Sequence, residues 1–277
     1  MTTVLRTEAL RKVYKLGSFT SRVTINAIDD VNLEIESDEP VIVSLVGESG
    51  SGKTTLAKTI LRLIEPTSGQ AWVHDQVVTG KGALGRLDFM KMVQPIFQNP
   101  FEAFSRYRTV DTYLQETAMK IAGHSTLKAR DAVDEALSSV GLEYADVVGK
   151  YPNQFSGGEL QRASIARALI PRPRLIVADE PVSMIDASRR MIVINLFKAL
   201  KEQYRTSFLY ITHDLATAYY ISDYIAVMNK GRIVEFGAAH EVLESPQHDY
   251  TKLLLESIPT LTKKWDRPGH IDPERES

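Results

Sequence analysis

Residues 47–54 read Gly47-Glu48-Ser49-Gly50-Ser51-Gly52-Lys53-Thr54. The pattern is Gly-x-x-x-x-Gly-Lys-Thr, and its neighbours decide its meaning. Val41-Ile42-Val43-Ser44-Leu45-Val46 runs straight into it. That run is short, β-branched and nearly all apolar, the composition of a strand buried on both faces. Thr54 to Leu63 follows with the texture of a helix. A glycine-rich turn between strand and helix lets backbone N–H groups curl around phosphate oxygens, and the helix start adds about half a positive charge. In that setting Lys53 reaches the β- and γ-phosphates and the Thr54 hydroxyl ligates Mg²⁺. Glu48, Ser49, Gly50, Ser51 and Thr55 complete the nucleotide-binding loop. A chance glycine-rich turn is the plain alternative, and the strand-then-helix context weighs against it.

Upstream, residues 2–46 read as short strands and turns, with Val31 to Glu36 alternating apolar and polar. Downstream, Pro66-Thr67-Ser68-Gly69 is a turn and Ala71-Trp72-Val73-His74 starts a strand. From about Pro100 to Ile170 the period becomes helical: Val133, Leu137 and Val140 recur at spacings of four and three. This reads as a helical insertion at about 100–170. After it come two buried-strand runs, Leu175–Ala178 and Ser207–Ile211, joined by a helix over 187–203. Such a βαβ step implies a parallel sheet with a right-handed crossover. Asn229-Lys230-Gly231-Arg232 turns one further strand into another as a hairpin. Residues 1–262 are then one domain, and 263–277 a loose, charged tail.

Two more segments carry chemistry. Arg174-Leu175-Ile176-Val177-Ala178-Asp179-Glu180-Pro181 is an apolar strand ending in two carboxylates. At the carboxyl edge of a parallel sheet Asp179 falls beside the metal, and Glu180 can polarise an attacking water. A surface turn before a proline is the plain alternative. Phe155-Ser156-Gly157-Gly158-Glu159-Leu160 pairs an N-cap serine with two glycines, leaving a helix start open to an anion. A simple cap would not need both glycines, which weaken a first helical turn.

Composition sets the limits. The net charge of −2 supplies no bulk field toward nucleic acid or anionic lipid. With no cysteine there is no disulfide, thiolate metal site or cysteine nucleophile. No run of eighteen apolar residues exists, and the start Met1-Thr2-Thr3-Val4-Leu5-Arg6 lacks a signal-peptide layout, so the expected location is cytoplasmic.

Taken together these segments resemble the ATP-binding cassette (ABC) ATPases. Gly47–Thr54 matches the family's Walker A, Leu175–Glu180 its Walker B with the catalytic glutamate, and Ser156–Glu159 its signature, usually Leu-Ser-Gly-Gly-Gln. Gln98 lies where the Q-loop is expected, near the metal. His213 in Ile211-Thr212-His213-Asp214 matches the switch histidine, and Asp186 the D-loop. Tyr14 is the aromatic expected to stack on adenine, with Phe19 a weaker candidate. The order and spacing hold over about residues 3–257. The resemblance implies an α/β fold: a P-loop NTPase (RecA-like) core, an antiparallel β subdomain and an inserted α-helical subdomain. It also implies ATP and Mg²⁺, and catalysis by Glu180, His213 and Gln98. Two such subunits would meet, with Ser156, Gly157, Gly158 and Glu159 of one closing on the nucleotide of the other. Phe155, Glu159 and the pair Met184-Ile185 depart from the family's usual Leu, Gln and Ala-Leu.

A soluble ATPase of this kind usually drives separate membrane proteins. Phe101, Phe104 and Tyr107, after Gln98, fit a patch that docks permease helices; plain packing is the alternative. The carboxyl end narrows the resemblance. Pro246-Gln247-His248-Asp249-Tyr250-Thr251, followed by Leu253-Leu254-Leu255 and Ile258-Pro259, resembles the oligopeptide/dipeptide importer ATPases. Oligosaccharide and nickel importers share that branch. The absence of cysteine removes the iron–sulfur centre some members carry. The partners implied are transmembrane permease subunits, a second ATPase subunit (identical or a paralogue) and, indirectly, an extracytoplasmic solute-binding protein. The expected place is the cytoplasmic face of the membrane, with no nucleic acid involved. The alternatives are a non-transport ABC ATPase of repair or translation, which would carry coiled coils or two cassettes, and a non-catalytic cassette lacking Glu180, Lys53 or His213.

Overall fold

The computed structural model describes residues 2–17 and 23–257. Phe19, Ile258-Pro259 and the tail 263–277 lie outside the described residues.

The apolar run before the phosphate loop is β3 (Ile42–Val46), every residue of it buried. Its side chains alternate: Ile42 enters one core, Val43 and Leu45 another. β7 (Leu175–Asp179) and β8 (Ser207–Ile211) repeat this. Ile176, Ala178, Phe208 and Tyr210 face the first core, while Val177, Leu209 and Ile211 face the second. A period of two on a sheet covered on both sides explains why these strands lack a polar face. With β6 (Val93–Ile96), β9 (Tyr224–Asn229) and β10 (Arg232–Ala238) they form a six-stranded sheet ordered β10-β9-β3-β8-β7-β6. All neighbours are parallel except the β9–β10 hairpin at one edge.

α7 (Ala187–Tyr204) joins β7 to β8 and sets Val193, Phe197, Leu200 and Tyr204 on the first core at spacings of four, three and four. Phe197 meets Phe208 and Tyr210 edge-on, with centroids 5.4 and 5.6 Å apart. Such pairs add about 0.5–1.5 kcal/mol beyond the area they bury.

A second, antiparallel sheet has the order β2-β1-β4-β5. It consists of β1 (Thr3–Leu16), β2 (Val23–Glu36), β4 (Ser68–Val73) and β5 (Gln76–Val77). The first two strands are 14 residues each, where the sequence suggested short strands and turns. Register shifts between Thr7 and Leu10, Leu10 and Lys12, and Lys12 and Val13 explain the difference. Ala9 and Asp30 take left-handed backbone at these irregularities, with φ 46 and 56. Bulges break the polar–apolar alternation while the ladder continues. α1 (Lys53–Ile60) packs Leu56, Ala57 and Ile60 beneath this sheet in the second core.

α2 (Arg86–Met92) and β6 fall where the sequence reading assigns nothing. β6 reads Val-Gln-Pro-Ile, and Pro95 hides it. A proline is tolerated there because β6 is the free edge of the sheet. Then come α3 (Val110–Glu116), α4 (Thr126–Ser139), α5 (Tyr144–Val147) and α6 (Gly157–Leu169). Val133, Leu137 and Val140 are buried as their spacing requires. α8 (Leu215–Ile221), α9 (Ala239–Glu244) and α10 (Asp249–Glu256) build a third core around Val46, at the end of β3. Among the described residues no helix is long and apolar enough to cross a membrane.

Candidate functional site

Four parallel strands end at one edge, and each delivers a chemical group there. β3 leads to the phosphate loop, β6 to Gln98, β7 to Asp179 and Glu180, and β8 to His213. Between them lies a cleft of about 690 Å³. Ser49, Gly50, Gly52, Lys53, Thr54 and Thr55 form its floor, and Gln98, Glu180 and His213 one wall.

The loop's shape depends on two glycines. A side chain at Gly47 (φ 148) would put its Cβ 2.2 Å from the Met228 carbonyl oxygen. At Gly52 (φ 111) it would lie 2.3 Å from the Ala27 carbonyl oxygen. The loop is therefore pressed between β9 and β2, and only glycine fits. Gly52 is the N-cap of α1 and offers no side chain to its first N–H groups, which stay available to an anion.

Lys53 is buried, and its Nζ donates to the carbonyls of Gly47 and Glu48 at 2.7 and 2.8 Å and to Ser51 Oγ at 3.4 Å. Burial pushes this lysine below its ordinary pKa against the pull of Glu180, Asp179 and Glu48. Burial likewise pushes Asp179 up, opposed by a hydrogen bond from the Thr54 side chain. Glu180 sits at φ 44, a left-handed conformation costly for a residue with a side chain. Its N–H donates to the Ile211 carbonyl at 3.0 Å, which fixes the turn. One carboxylate oxygen accepts from Gln98 Nε2 at 3.0 Å, and the other lies 3.0 Å from His213 Nδ1. Asp214 holds the histidine turn by accepting from the Ala216 and Thr217 N–H groups at the start of α8. Two groups, from the ends of β6 and β8, thus meet on the carboxylate that follows β7.

Ser156, Gly157, Gly158 and Glu159 stand elsewhere, at the N-terminus of α6, and none of them lines this cleft. Ser156 Oγ accepts from the Glu159 N–H at 3.3 Å and donates to Glu159 Oε2 at 2.7 Å. The Ser156 N–H also donates to that oxygen, at 2.8 Å. Glu159 thereby closes a capping box. The Ser156 hydroxyl and N–H hold its carboxyl below the ordinary value, so it is ionised at neutral pH. A Cβ on Gly157 would lie 3.8 Å from the Met184 carbonyl, so this helix start adjoins the turn before Asp186, itself exposed at the head of α7.

Tyr14 does not line the cleft; Ile25, its partner across β1–β2, does, with Asn26 and Ala27. Paired residues share a face, so Tyr14 lies beside that wall, under the Lys12 ammonium 5.3 Å away. Lys230, in the β9–β10 turn, also reaches the cleft. Its turn is tied to the phosphate loop by the Gly231 N–H donating to the Ser51 carbonyl at 2.8 Å. Sequence reasoning gave Lys230 only a hairpin role, and its place in the cleft needed the β3–β9 pairing.

Phe101 and Tyr107 are exposed, but Phe104 is not: it is 3% exposed and packs edge-on to Tyr113 at 5.6 Å. The helical segment needs Phe104 for its own core, so it leaves the expected patch. Nearby, a groove of about 530 Å³ runs between α2 and α3, with Leu87, Met90 and Ile121 among its apolar groups. Glu116 on its rim is held by Arg108 and Lys120, which bring its carboxyl down to about 2.

The family model for ABC transporters matches residues 28–183. The chain belongs to the ABC transporter ATP-binding family. A second family model, the C-terminal region of oligopeptide/dipeptide transporters, matches residues 234–277 of this ABC protein. Over 264 residues it is 41% identical to the oligopeptide transport ATP-binding protein OppF of Lactococcus lactis, covering 94% of this chain and 82% of that one. It is 36% identical over 277 residues to the di/tripeptide transport ATP-binding protein DppF of Pseudomonas aeruginosa, covering 99% and 82%. Among solved structures, the dimeric post-hydrolysis state of the ATP-binding cassette MJ0796 bound to ADP and Pi aligns with TM-score 0.71 and 28% identity, covering 85% and 98%. CbiO1 from Clostridium perfringens shares the fold at TM-score 0.72 and 21% identity, covering 88% of this chain and 92% of that one. The architecture is accordingly the cassette's P-loop NTPase fold, and the ABC chain is a nucleotide-binding ATPase.

Proposed function

We propose that this ATPase powers uptake of oligopeptides or dipeptides through separate membrane permeases, working at the cytoplasmic face of the membrane. The observation that carries the reading is the convergence of Gln98, Glu180 and His213 above the Lys53 loop, in a chain whose residues 234–277 match the peptide-transporter C-terminal region. Residues 1–262 act as one nucleotide-binding domain with the helical insertion at about 100–170, and 263–277 as its tail.

Lys53 and the N–H groups of the loop bind the phosphates, and Lys53 exchanges loop carbonyls for phosphate oxygens as ATP enters. Glu180 orients the attacking water, with His213 and Gln98 placing its carboxylate. This is positioning plus electrostatics, as phosphoryl transfer requires. The donors fit a magnesium ion: Thr54, Gln98 and a desolvated Asp179 offer hard oxygen ligands, and Asp179's burial leaves its charge short of a cation. When bound, Mg²⁺ neutralises charge on the β- and γ-phosphates. Ser156, Gly157 and Gly158 close on the nucleotide of a second subunit, identical or a paralogue. ATP then joins the two, and hydrolysis releases them. The groove beside α2 and α3 receives a permease helix, and the exposed Phe101 and Tyr107 offer further apolar contacts. The solute-binding protein acts only through the permeases, and nucleic acid plays no part.

Affinity capture of the chain from solubilised membranes tests this reading. Co-purification of two hydrophobic permease subunits whose presence raises ATP turnover is the expected result; capture of ribosomes or DNA instead would sink it.

Glu159 yields a further prediction. Its carboxylate holds the Ser156 hydroxyl and adds a negative charge where the partner's γ-phosphate arrives. Glu159→Gln keeps the capping geometry and removes that charge. Nucleotide-driven dimerisation should tighten about twofold to fivefold, from a helix-terminus charge worth about 0.3–1 kcal/mol. The unfolding temperature should drop slightly, because the carboxylate favours the helix start. Sedimentation with ATP and thermal unfolding measure both, and weaker dimerisation would reject the placement.

A further inference from the structure

The peptide-transporter motif at the carboxyl end has a physical connection that runs into the nucleotide site. The Glu235 carboxylate accepts from the N–H groups of Gln247 and His248 at 2.8 and 3.1 Å, which fixes the approach to α10. His248 Nδ1 accepts from the Tyr250 N–H at 3.1 Å and caps that helix. Tyr250 then turns toward the phosphate loop, where its hydroxyl accepts from the Glu48 N–H at 3.1 Å. The carbonyl of the same Glu48 accepts from Lys53 Nζ at 2.8 Å. One residue of the loop is thus gripped on its N–H side by Tyr250 and on its carbonyl side by the phosphate-binding lysine. The contact is braced from below. Tyr250, Leu254 and Leu255 pack on the third core with Val46, the residue that leads into Gly47.

We propose that Tyr250 is a positioning residue for the phosphate loop, and that the carboxyl-terminal motif exists in part to hold it there. The helix it sits on carries no group into the cleft, yet its phenol oxygen ends on the backbone at the loop's entry. A loop pinned at Glu48 keeps its N–H groups in register before ATP arrives, which lowers the ordering cost of binding. Glu48 is exposed, so without the phenol its N–H would turn to water and the loop entry would be free to shift. The spacing Pro-x-His-x-Tyr-Thr follows: the histidine caps, and the tyrosine two residues on reaches back. This inference rests on ATP binding in the loop, as proposed above.

Tyr250→Phe keeps the ring and its packing and removes only the hydroxyl that accepts from the Glu48 N–H. On the full chain, Mg·ATP should bind about threefold to tenfold more weakly by calorimetry, the range for one lost hydrogen bond. KM for ATP should rise by the same factor, with kcat at saturating ATP within about twofold, the pattern of lost uniform binding. Amide exchange in residues 47–54 should quicken at Glu48, with both proteins fully folded by circular dichroism. Unchanged ATP affinity beside a wild type that binds normally would overturn the role of Tyr250 alone. A loss confined to kcat would overturn it too. A wild-type chain that binds no ATP would instead bring down the nucleotide reading on which it rests.

Discussion

Glu180→Gln abolishes turnover but not binding: the expected loss in kcat is about 10²- to 10⁴-fold, the range a positioned general base contributes. The argument is local. Among the described residues Glu180 is the carboxylate that Gln98 and His213 both reach, at 3.0 Å each. Its backbone is held at φ 44 by its N–H bond to Ile211, and the substitution does not disturb that bond. The amide is the same size, so the turn keeps its shape. It has lost the charge that draws a proton from water. It also presents an NH₂ where a carboxylate oxygen accepted: its amide oxygen can keep the bond from Gln98, and its NH₂ then meets His213 Nδ1 as a donor, which requires that nitrogen to be the unprotonated one. Lys53 and the loop N–H groups do not depend on Glu180 for their geometry, so ATP affinity stays within about threefold, well under the 1.4 kcal/mol that a tenfold change requires. With hydrolysis blocked and the γ-phosphate retained, the two-subunit form should accumulate. Phosphate-release kinetics, calorimetry and sedimentation with ATP test the three parts, and turnover at the wild-type rate would remove Glu180 from the role.

That carboxylate's position was readable from the sequence for a definable reason. The strand before it is an uninterrupted apolar run, and such a run in a parallel sheet ends at the edge where ligands collect. The same logic placed the loop after β3, whereas His213, which follows β8, came from the resemblance to the ABC ATPases. The pairing order that brings β6, β7, β8 and β3 together was not readable, since no residue type announces its neighbour across a sheet. Lys230 shows the cost. Its turn was recognised as a hairpin, but only the pairing of β9 with β3 carries that turn to the phosphate loop. Phe104 fails in the opposite direction. An aromatic in a loop reads equally as a surface anchor or as core, and only the edge-on contact with Tyr113 decides for core. Tyr14 lies between these cases, paired with Ile25 of the cleft wall but outside the cleft lining itself. The long first strands were hidden by their bulges, and β6 by its proline. For these strands the signal that failed was periodicity, and what broke it was a bulge or a proline that the tertiary structure accommodates.

Lys53→Ala should do the reverse of Glu180→Gln, removing binding while leaving the fold. The ammonium donates to the Gly47 and Glu48 carbonyls of its own loop, acceptors with which phosphate oxygens compete for it. A hydrogen bond involving a charged group is worth about 1.5–3 kcal/mol, so losing one such contact weakens ATP binding about tenfold to a hundredfold or more. ADP should suffer less, because the γ-phosphate contact is absent from it. Stability should change little, for two opposing reasons. The mutant gives up three hydrogen bonds to its own loop, but it also escapes the desolvation that pushes Lys53 below its ordinary pKa. Arginine should not restore affinity, since its planar fork cannot occupy the compact ammonium's place among those acceptors. Calorimetry with ATP and ADP, alongside thermal unfolding, separates the outcomes. If the alanine variant binds ATP as tightly as the wild type, the loop at 47–54 does not hold the triphosphate, and the division of labour between Lys53 and Glu180 fails with it.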